Sequence, residues 1–208
     1  MFPHPYHQNN NIFVDTYRRS VKLYRAPSYC FYQLTSTRSG SWTSGCFRHL
    51  RFVRIPLMKI SIGADERLPV VDHVIKWLEQ RGHQPEWHGP EPGATLPWPL
   101  IARQVAEDVT SGRAQEGVLF CWTGTGVSLA ANKVPGIRAA LCADAETARG
   151  ARLWNNANVL CMSLRRTTPT IAEAILDRWF NTQYQPNPTD DEALRQVEDL
   201  DRQRVGKL

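Results

Sequence analysis

Short apolar runs alternate with amphipathic helical patterns from Met58 almost to the end of the chain. Apolar runs of five or six residues are typical of buried strands, and apolar residues spaced three and four apart are typical of helices. Strands are predicted at 59–63, 84–88, 116–121, 137–142 and 158–162, and helices at 70–81, 100–110, 127–133, 145–153, 169–180 and 190–204. This alternation predicts a doubly wound, Rossmann-like α/β fold, with a mostly parallel five-stranded sheet and helices on both faces.

The basic residues concentrate before this alternation begins. Residues 1–57 contain eight Lys and Arg and one acid, Asp15, a net charge of +7, whereas residues 58–208 contain 17 basic and 19 acidic residues, a net charge of −2. An Arg- and Ser-rich, acid-poor leader resembles an organelle transit peptide, but a disordered or appended segment is the simpler interpretation. We therefore predict a basic leader at 1–57 and a folded domain at 58–208 that includes the C-terminal helix.

Composition argues against several classes of function. No apolar run approaches the roughly 20 residues that cross a bilayer, and the charge of the main domain argues against nucleic-acid binding. The five cysteines show no CxxC spacing, and Cys142 and Cys161 lie in apolar runs, so we expect buried free thiols and a reducing, cytoplasmic location. The histidines His73, His83 and His88 lack metal spacing, and no metal is expected.

The segment from Cys121 to Leu141 contains the strongest functional signal. An apolar strand brings Cys121 to its carboxyl end, a loop with Gly124 and Gly126 follows, and a short helix then begins. The N–H groups of such a turn and the helix dipole converge on one point, which predicts an anion-binding cradle. The same field favours a thiolate, so the segment predicts an active site. Buried packing of the cysteine and a simple glycine turn are the alternatives.

These residues resemble those of type B ribose-5-phosphate isomerase and its galactose-6-phosphate isomerase relatives, over about 58–184. The most specific strings are Asn-Lys-Val-Pro-Gly-Ile-Arg at 132–138 and Trp-Asn-Asn-Ala-Asn-Val-Leu at 154–160. The resemblance implies an aldose–ketose isomerase that moves a proton of a phosphorylated sugar through an enediol(ate), without a cofactor. It also implies a homodimer, or a dimer of dimers, with the active site at the subunit interface.

The resemblance further implies roles for individual residues. The implied catalytic group comprises Cys121, Thr123 and Asp65, the last of which contacts sugar hydroxyls. The implied anion hole is formed by the backbone N–H groups of Gly124, Thr125, Gly126 and Val127. Asn155 and Arg165 match residues near the substrate, with Arg165 on the phosphate, and the family takes such groups from the other subunit.

Three tryptophans depart from the family pattern. Trp154 stands where the family has a histidine that opens the sugar ring, Trp122 replaces a small residue, and Trp98 stands where tyrosine is common. We hypothesise that these side chains line the pocket and that the substrate is short and open-chain, such as a tetrose 4-phosphate. The alternative is that Trp154 packs at a dimer interface while another group opens the ring.

Two other functions stay open at this point. Gly124-x-Gly126 with Asp144 twenty residues later imitates a dinucleotide fingerprint, which would indicate a nucleotide-dependent oxidoreductase. The third glycine is replaced by Leu129 and Pro135 ends the helix early, which both argue against it. A non-catalytic module that binds sugar phosphates is the other alternative.

Overall fold

A computed structural model of the chain describes residues 57–206. These residues form one five-stranded sheet and six helices. The strands are β1 (Lys59–Ala64), β2 (Gln84–His88), β3 (Glu116–Cys121), β4 (Ala139–Leu141) and β5 (Val159–Ser163). The helices are α1 (Pro69–Gln80), α2 (Trp98–Thr110), α3 (Thr125–Ala131), α4 (Ala145–Asn155), α5 (Pro169–Asn181) and α6 (Pro188–Val205). The predicted leader at 1–57 lies almost wholly outside the described residues.

All four strand pairings are parallel, and the strand order is β2-β1-β3-β5-β4. One apolar cluster joins the sheet to α1, α4 and α5, and the other joins it to α2 and α3. The helices therefore cover both faces, which confirms the doubly wound α/β prediction. Within residues 57–206, no helix is long and apolar enough to cross a membrane.

Side-chain size alternates along the central strands to accommodate α2. Ile60, Ile62 and Ala64 of β1 are fully buried on the α1 face, whereas Gly63 lies on the other face beneath α2. A methyl group on Gly63 would lie 2.5 Å from a side-chain carbon of Ile101 on α2. The small residue is what lets α2 pack closely on the strand.

Most element boundaries differ from the prediction by one or two residues, among them those of α2, α3 and β4. The second helix begins at Trp98 instead of 100, because Pro99 lies in the first turn, where a missing N–H costs no hydrogen bond. The third helix begins two residues earlier, at Thr125. The fourth strand is shorter, because the backbone N–H of Arg138 donates to the Asn158 side chain (2.8 Å) before strand pairing begins at Ala139.

The expected buried thiols are confirmed in the interior. Cys142 and Cys161 are at most 1% exposed and free of disulfides. Burial raises the pKa of Cys142 to about 12, with a smaller contribution from Asp144, and it also raises the pKa of Cys161. Both thiols are thus held protonated, so neither offers a nucleophile.

The connections define a crevice between β1 and β3. After β1 the chain enters α1 on one face, and after β3 it enters α3 on the opposite face. Ala64 and Phe120 are paired across the two strands, so Asp65 and Cys121 follow side by side at the carboxyl edge. Ligands of doubly wound sheets bind at such a switch point.

Candidate active site

The turn after β3 is held by the backbone oxygen of Cys121. This oxygen accepts hydrogen bonds from the N–H groups of Gly124 (3.1 Å) and Leu164 (3.0 Å). The Cys121 residue is 5% exposed and belongs to the apolar cluster that joins the sheet to α2 and α3, so its thiol is buried at the carboxyl end of β3. The cysteine is therefore next to the turn that the sequence predicted, and it lies below the surface.

Gly124 shapes this turn for close packing. Its φ of +77° is in the left-handed region, and a methyl group there would lie 2.5 Å from Leu141 and 2.9 Å from the backbone of Met162. Only glycine meets both demands. Because of this turn, α3 starts four residues after Cys121, with the hydroxyl oxygens of Thr123 and Thr125 2.6 Å apart.

The first turn of α3 supplies hydrogen-bond donors. As in any helix, the first N–H groups, here those of Thr125, Gly126 and Val127, have no acceptor inside the helix. They point along the helix axis toward its N-terminal end, where the dipole is positive. The N–H of Gly124, which the sequence also predicted for the anion hole, instead donates to the Cys121 oxygen. A developing oxyanion or a phosphate oxygen is the kind of group that this end of α3 can hold.

Asp65 follows β1 at the same edge and has an unsatisfied acceptor. Its Oδ1 atom is buried and accepts no hydrogen bond from the described residues. Burial raises the pKa of this carboxyl, an effect that the negative charge of Glu66 reinforces and backbone hydrogen bonds oppose. A buried acceptor without a donor costs free energy, so it is suited to a hydroxyl donor of a ligand.

Trp98 and Trp122 flank the turn. A methyl group on Gly126 would lie 3.1 Å from the Trp98 ring, so the indole packs directly against the α3 start. The two side chains are 38% and 58% exposed. The loop before Trp98 is held close by a backbone hydrogen bond from Leu96 to Asp65 (3.0 Å). Both aromatic side chains are therefore available to line a ligand pocket at this edge.

Arg165 lies at this edge in the same chain. Its backbone N–H donates to the Trp122 oxygen (3.2 Å), and the Ser163 hydroxyl donates to the same oxygen (2.9 Å). β5 ends beside β3 and so brings the Arg165 backbone to this edge within one chain, whereas the family resemblance implies an arginine from a second subunit. Ser163 was missed from sequence, although a polar residue ending an apolar strand is a usable signal.

Trp154 and Asn155 are not brought to Cys121 within one chain. They end α4, which runs back from the carboxyl end of β4 over 11 residues, about 16 Å of helix. They therefore lie at the amino edge of the sheet, beside a groove that Arg138 and Val197 also line. Trp154 packs on Gly150 and is 54% exposed.

The acid of the dinucleotide alternative has another role. Asp144 is the N-cap of α4, where its carboxylate accepts from the backbone N–H and the hydroxyl of Thr147, each at 2.8 Å. These bonds lower its pKa. A capping carboxylate engaged on both oxygens is poorly suited to bind a ribose, which argues against the nucleotide-dependent oxidoreductase.

The known proteins that this chain resembles are sugar-phosphate isomerases. The profile of the Ribose/Galactose Isomerase family matches residues 60–197. Galactose-6-phosphate isomerase subunit LacB of Clostridium acetobutylicum is 38% identical over 144 residues, 69% of this chain and 83% of that protein. D-erythrulose-4-phosphate isomerase of Pectobacterium atrosepticum is 34% identical over 131 residues, 62% of this chain and 86% of that protein. The structure of ribose-5-phosphate isomerase B from Clostridium thermocellum superimposes with a TM-score of 0.68 at 32% identity, covering 71% of this chain and 99% of that one.

Proposed function

We propose that this chain, which belongs to the Ribose/Galactose Isomerase family, uses the Cys121 thiol to move a proton between carbons 1 and 2 of a phosphorylated sugar. The chain is a sugar-phosphate isomerase of the aldose–ketose class, as its relatives are. The observation that supports the residue assignment is the position of Cys121 at the carboxyl end of β3, four residues before α3 begins and beside Asp65 across the β1–β3 crevice.

The chemistry follows from that position. The thiolate removes the proton from carbon 2 of the aldose, the carbonyl oxygen on carbon 1 becomes an enediolate oxygen, and the thiol returns the proton to carbon 1. The hydroxyl proton on oxygen 2 moves to oxygen 1, which leaves the ketose carbonyl on carbon 2. Preorganised donors must hold the enediolate oxygen, and the N–H groups of Thr125, Gly126 and Val127 are in place for that role. We assign the Thr123 hydroxyl, which lies 2.6 Å from that of Thr125, to assist proton transfer between the two oxygens.

Asp65 and Arg165 supply the remaining contacts of this half-site. The buried Oδ1 of Asp65 accepts from a sugar hydroxyl, which satisfies an acceptor that has no partner among residues 57–206. The exposed Arg165 guanidinium stands at the same edge and binds the phosphate, since arginine matches phosphate geometry with two parallel hydrogen bonds.

A homodimer completes the site. Trp154 and Asn155 lie at the edge of the sheet opposite to Cys121, so they reach a catalytic cysteine only in a second copy. The edge strand β4 is flanked by the exposed apolar side chains of Leu129, Leu141 and Trp154. Exposed edge strands with apolar surroundings are typical of contact surfaces. We also propose a cytoplasmic location, because the described cysteines are free thiols.

The substrate is a short, open-chain sugar phosphate. Trp98 and Trp122 are partly exposed side chains beside the turn, and the family resemblance puts Trp154 where a ring-opening histidine is expected. A tetrose 4-phosphate cannot close a furanose ring because its terminal hydroxyl is esterified. The relative from Pectobacterium atrosepticum bears the name of a tetrose-phosphate isomerase, which supports this choice. The alternative is a pentose phosphate, with Trp154 only packing at the dimer interface.

Proton exchange in heavy water tests the reaction and the substrate together. Tetrose, pentose and hexose phosphates are incubated separately with the enzyme, and NMR follows deuterium incorporation at carbons 1 and 2. We expect exchange and isomerisation fastest with the tetrose phosphates. Efficient turnover of a pentose phosphate with no turnover of a tetrose phosphate would refute the proposed substrate class. If none of the tested sugar phosphates incorporates deuterium, the proposed reaction is refuted.

A further inference from the structure

A polar cluster lies between the edge strand β2 and helix α2, away from the proposed active site. Glu86 and His88 are two residues apart on β2, so their side chains are on the same face of the sheet as α2. Asp108 reaches them from α2, and one ligand atom from each of the three residues lies within 4.8 Å of the others. Glu86 lies at the surface, His88 is partly buried, and Asp108 is buried at 4% exposure.

His88 contains a buried nitrogen that the protein leaves without a hydrogen bond. Its side chain is 9% exposed, and Nε2 has no hydrogen-bond partner among the described residues. Nε2 lies 2.7 Å from Asp108 Oδ2, but the ring is not aligned to donate to that oxygen. Buried polar atoms are nearly always satisfied, so an unpartnered nitrogen facing a carboxylate requires an explanation.

We propose that Glu86, His88 and Asp108 bind a divalent transition-metal ion such as Zn²⁺. Imidazole nitrogen and carboxylate oxygens are ligands that Zn²⁺ accepts, with water filling the remaining position. Zinc bonds of about 2.0–2.2 Å place ligand atoms about 3.3 Å apart, so His88 and Asp108 separate slightly and Glu86, the exposed ligand, rotates inward. The ion then satisfies the lone pair of the His88 nitrogen.

The charges around the cluster fit such an ion. Asp108 is held in place by a hydrogen-bond donor on each of its carboxylate oxygens. Ser61 donates to Oδ2 (2.7 Å) and Arg113 to Oδ1 (2.8 Å). Arg113 is the opposing feature, because its positive charge reduces the attraction of Asp108 for a second cation. With Glu86 included, the two carboxylates and Arg113 sum to one net negative charge.

The ion would connect an edge strand to a helix and would not enter the reaction. β2 is separated from β3 by β1, so the cluster is about 10 Å from the strand that ends at Cys121. The sequence analysis did not find this cluster because it looked for ligands at short, regular spacings along the chain. Glu86 and His88 lie on a strand, and Asp108 joins them only through the packing of the following helix. Binding should therefore stabilise the fold and leave the turn after β3 unchanged.

Calorimetric titration with ZnCl₂ tests the site. The whole chain is used without an affinity tag, after a chelator has removed any bound metal. We expect one Zn²⁺ per chain and a higher melting temperature. Glu86→Gln, a change at an exposed position that leaves the fold intact, weakens binding at least tenfold. Arg113→Gln strengthens it, because the competing charge is removed. The matched control is His73→Ala, since His73 contacts Glu173 (2.7 Å) outside this cluster.

Visible spectra with Co²⁺ separate this site from the cysteines. Ligation by nitrogen and oxygen gives d–d bands without the intense thiolate charge-transfer band that Cys121 would produce. The proposal is overturned if no ion binds, if the thiolate band accompanies binding, or if Glu86→Gln and His88→Gln bind Zn²⁺ as the unchanged protein does. Circular dichroism checks that the Glu86→Gln protein is folded. If this folded variant binds Zn²⁺ as tightly as the unaltered protein, the proposal is overturned, even where His88→Gln fails to fold.

Discussion

Cys121 and Asn155 lie at opposite edges of the same sheet. Cys121 ends β3 at the carboxyl edge, whereas Asn155 ends α4, which returns to the amino edge after β4. The helix between these edges is about 16 Å long, so the two side chains cannot meet within one chain. An active site that uses both residues therefore requires two copies of the chain.

Mixing two inactive variants tests this arrangement. Cys121→Ala and Asn155→Ala each inactivate both sites of their own dimer. After subunits are exchanged, half of the dimers are mixed, and each mixed dimer contains one intact and one doubly altered site. We expect about a quarter of the unaltered activity to return.

The control for this experiment is a mixture of Cys121→Ala with the double variant Cys121→Ala/Asn155→Ala, which contains no intact site and should stay inactive. Sedimentation measurements verify the dimer and the exchange of subunits. If subunits exchange and activity does not return, the two residues do not share a site across the interface.

Gly124→Ala tests the geometry of the turn. The variant adds the cost of a left-handed alanine, about 1–2 kcal/mol, to a clash with Leu141 and the backbone of Met162 that costs about 1–3 kcal/mol. Gly82→Ala is the matched control, since Gly82 has a φ of +84° and no heavy atom near the added methyl. Urea unfolding should show the larger loss for Gly124→Ala, and its activity should fall while that of Gly82→Ala is kept. Equal losses of stability would contradict the packing account.

Asp65→Asn separates binding from stability. Burial raises the pKa of Asp65 above its ordinary value of 3.8, so the folded state favours the protonated form. That stabilisation is complete below the unfolded pKa and is lost as the pH rises through the folded value. The melting temperature of Asp65→Asn should therefore exceed that of the unaltered protein by a margin that grows from about pH 4 upward.

The kcat/KM of Asp65→Asn should fall about 10- to 100-fold, because a charge-assisted hydrogen bond to the sugar is lost. A lower melting temperature at neutral pH would show that the carboxylate supports the fold instead.

Trp122→Ala tests the pocket size. Trp122 is 58% exposed at the start of the turn, so its truncation should leave the fold intact. If its ring limits substrate length, the ratio of kcat/KM for pentose to tetrose phosphates should rise about tenfold, as expected when apolar volume is removed from a pocket. The exposed Leu200 on α6 offers a control truncation, Leu200→Ala, with no expected change in that ratio.

The fold could largely be predicted from the pattern of apolar residues. β3 has the predicted bounds because an apolar run between turn residues sets it, and β2 has them although its sequence, Gln-Pro-Glu-Trp-His, is largely polar. β4 was predicted too long. The N–H of Arg138, just before the strand, donates to the Asn158 side chain, and the N–H of Ala139, its first residue, donates to the Asn132 side chain. The position of β5 between β3 and β4 depends on how helices pack across the sheet, and local pattern does not contain it.

The candidate site was predictable where it is local in sequence. The turn from Cys121 to Val127 is contiguous, so its glycines and the helix start were recognisable. The placement of Arg165 beside Trp122 depends on which strand neighbours β3, and the separation of Asn155 from Cys121 depends on the direction of α4. The cluster of Glu86, His88 and Asp108 depends on the packing of α2. These relations are tertiary, and the chain alone does not display them.

Deuterium incorporation by Cys121→Ser tests the central claim most directly. The substitution keeps the size of the side chain but replaces the thiol with a hydroxyl that does not ionise near neutral pH. We expect exchange at carbons 1 and 2 of the best sugar phosphate to fall about 10²- to 10⁴-fold, the range typical of a general acid–base group, with the melting temperature nearly unchanged. Exchange by Cys121→Ser at the rate of the unaltered enzyme would contradict the account, because another group would then move the proton.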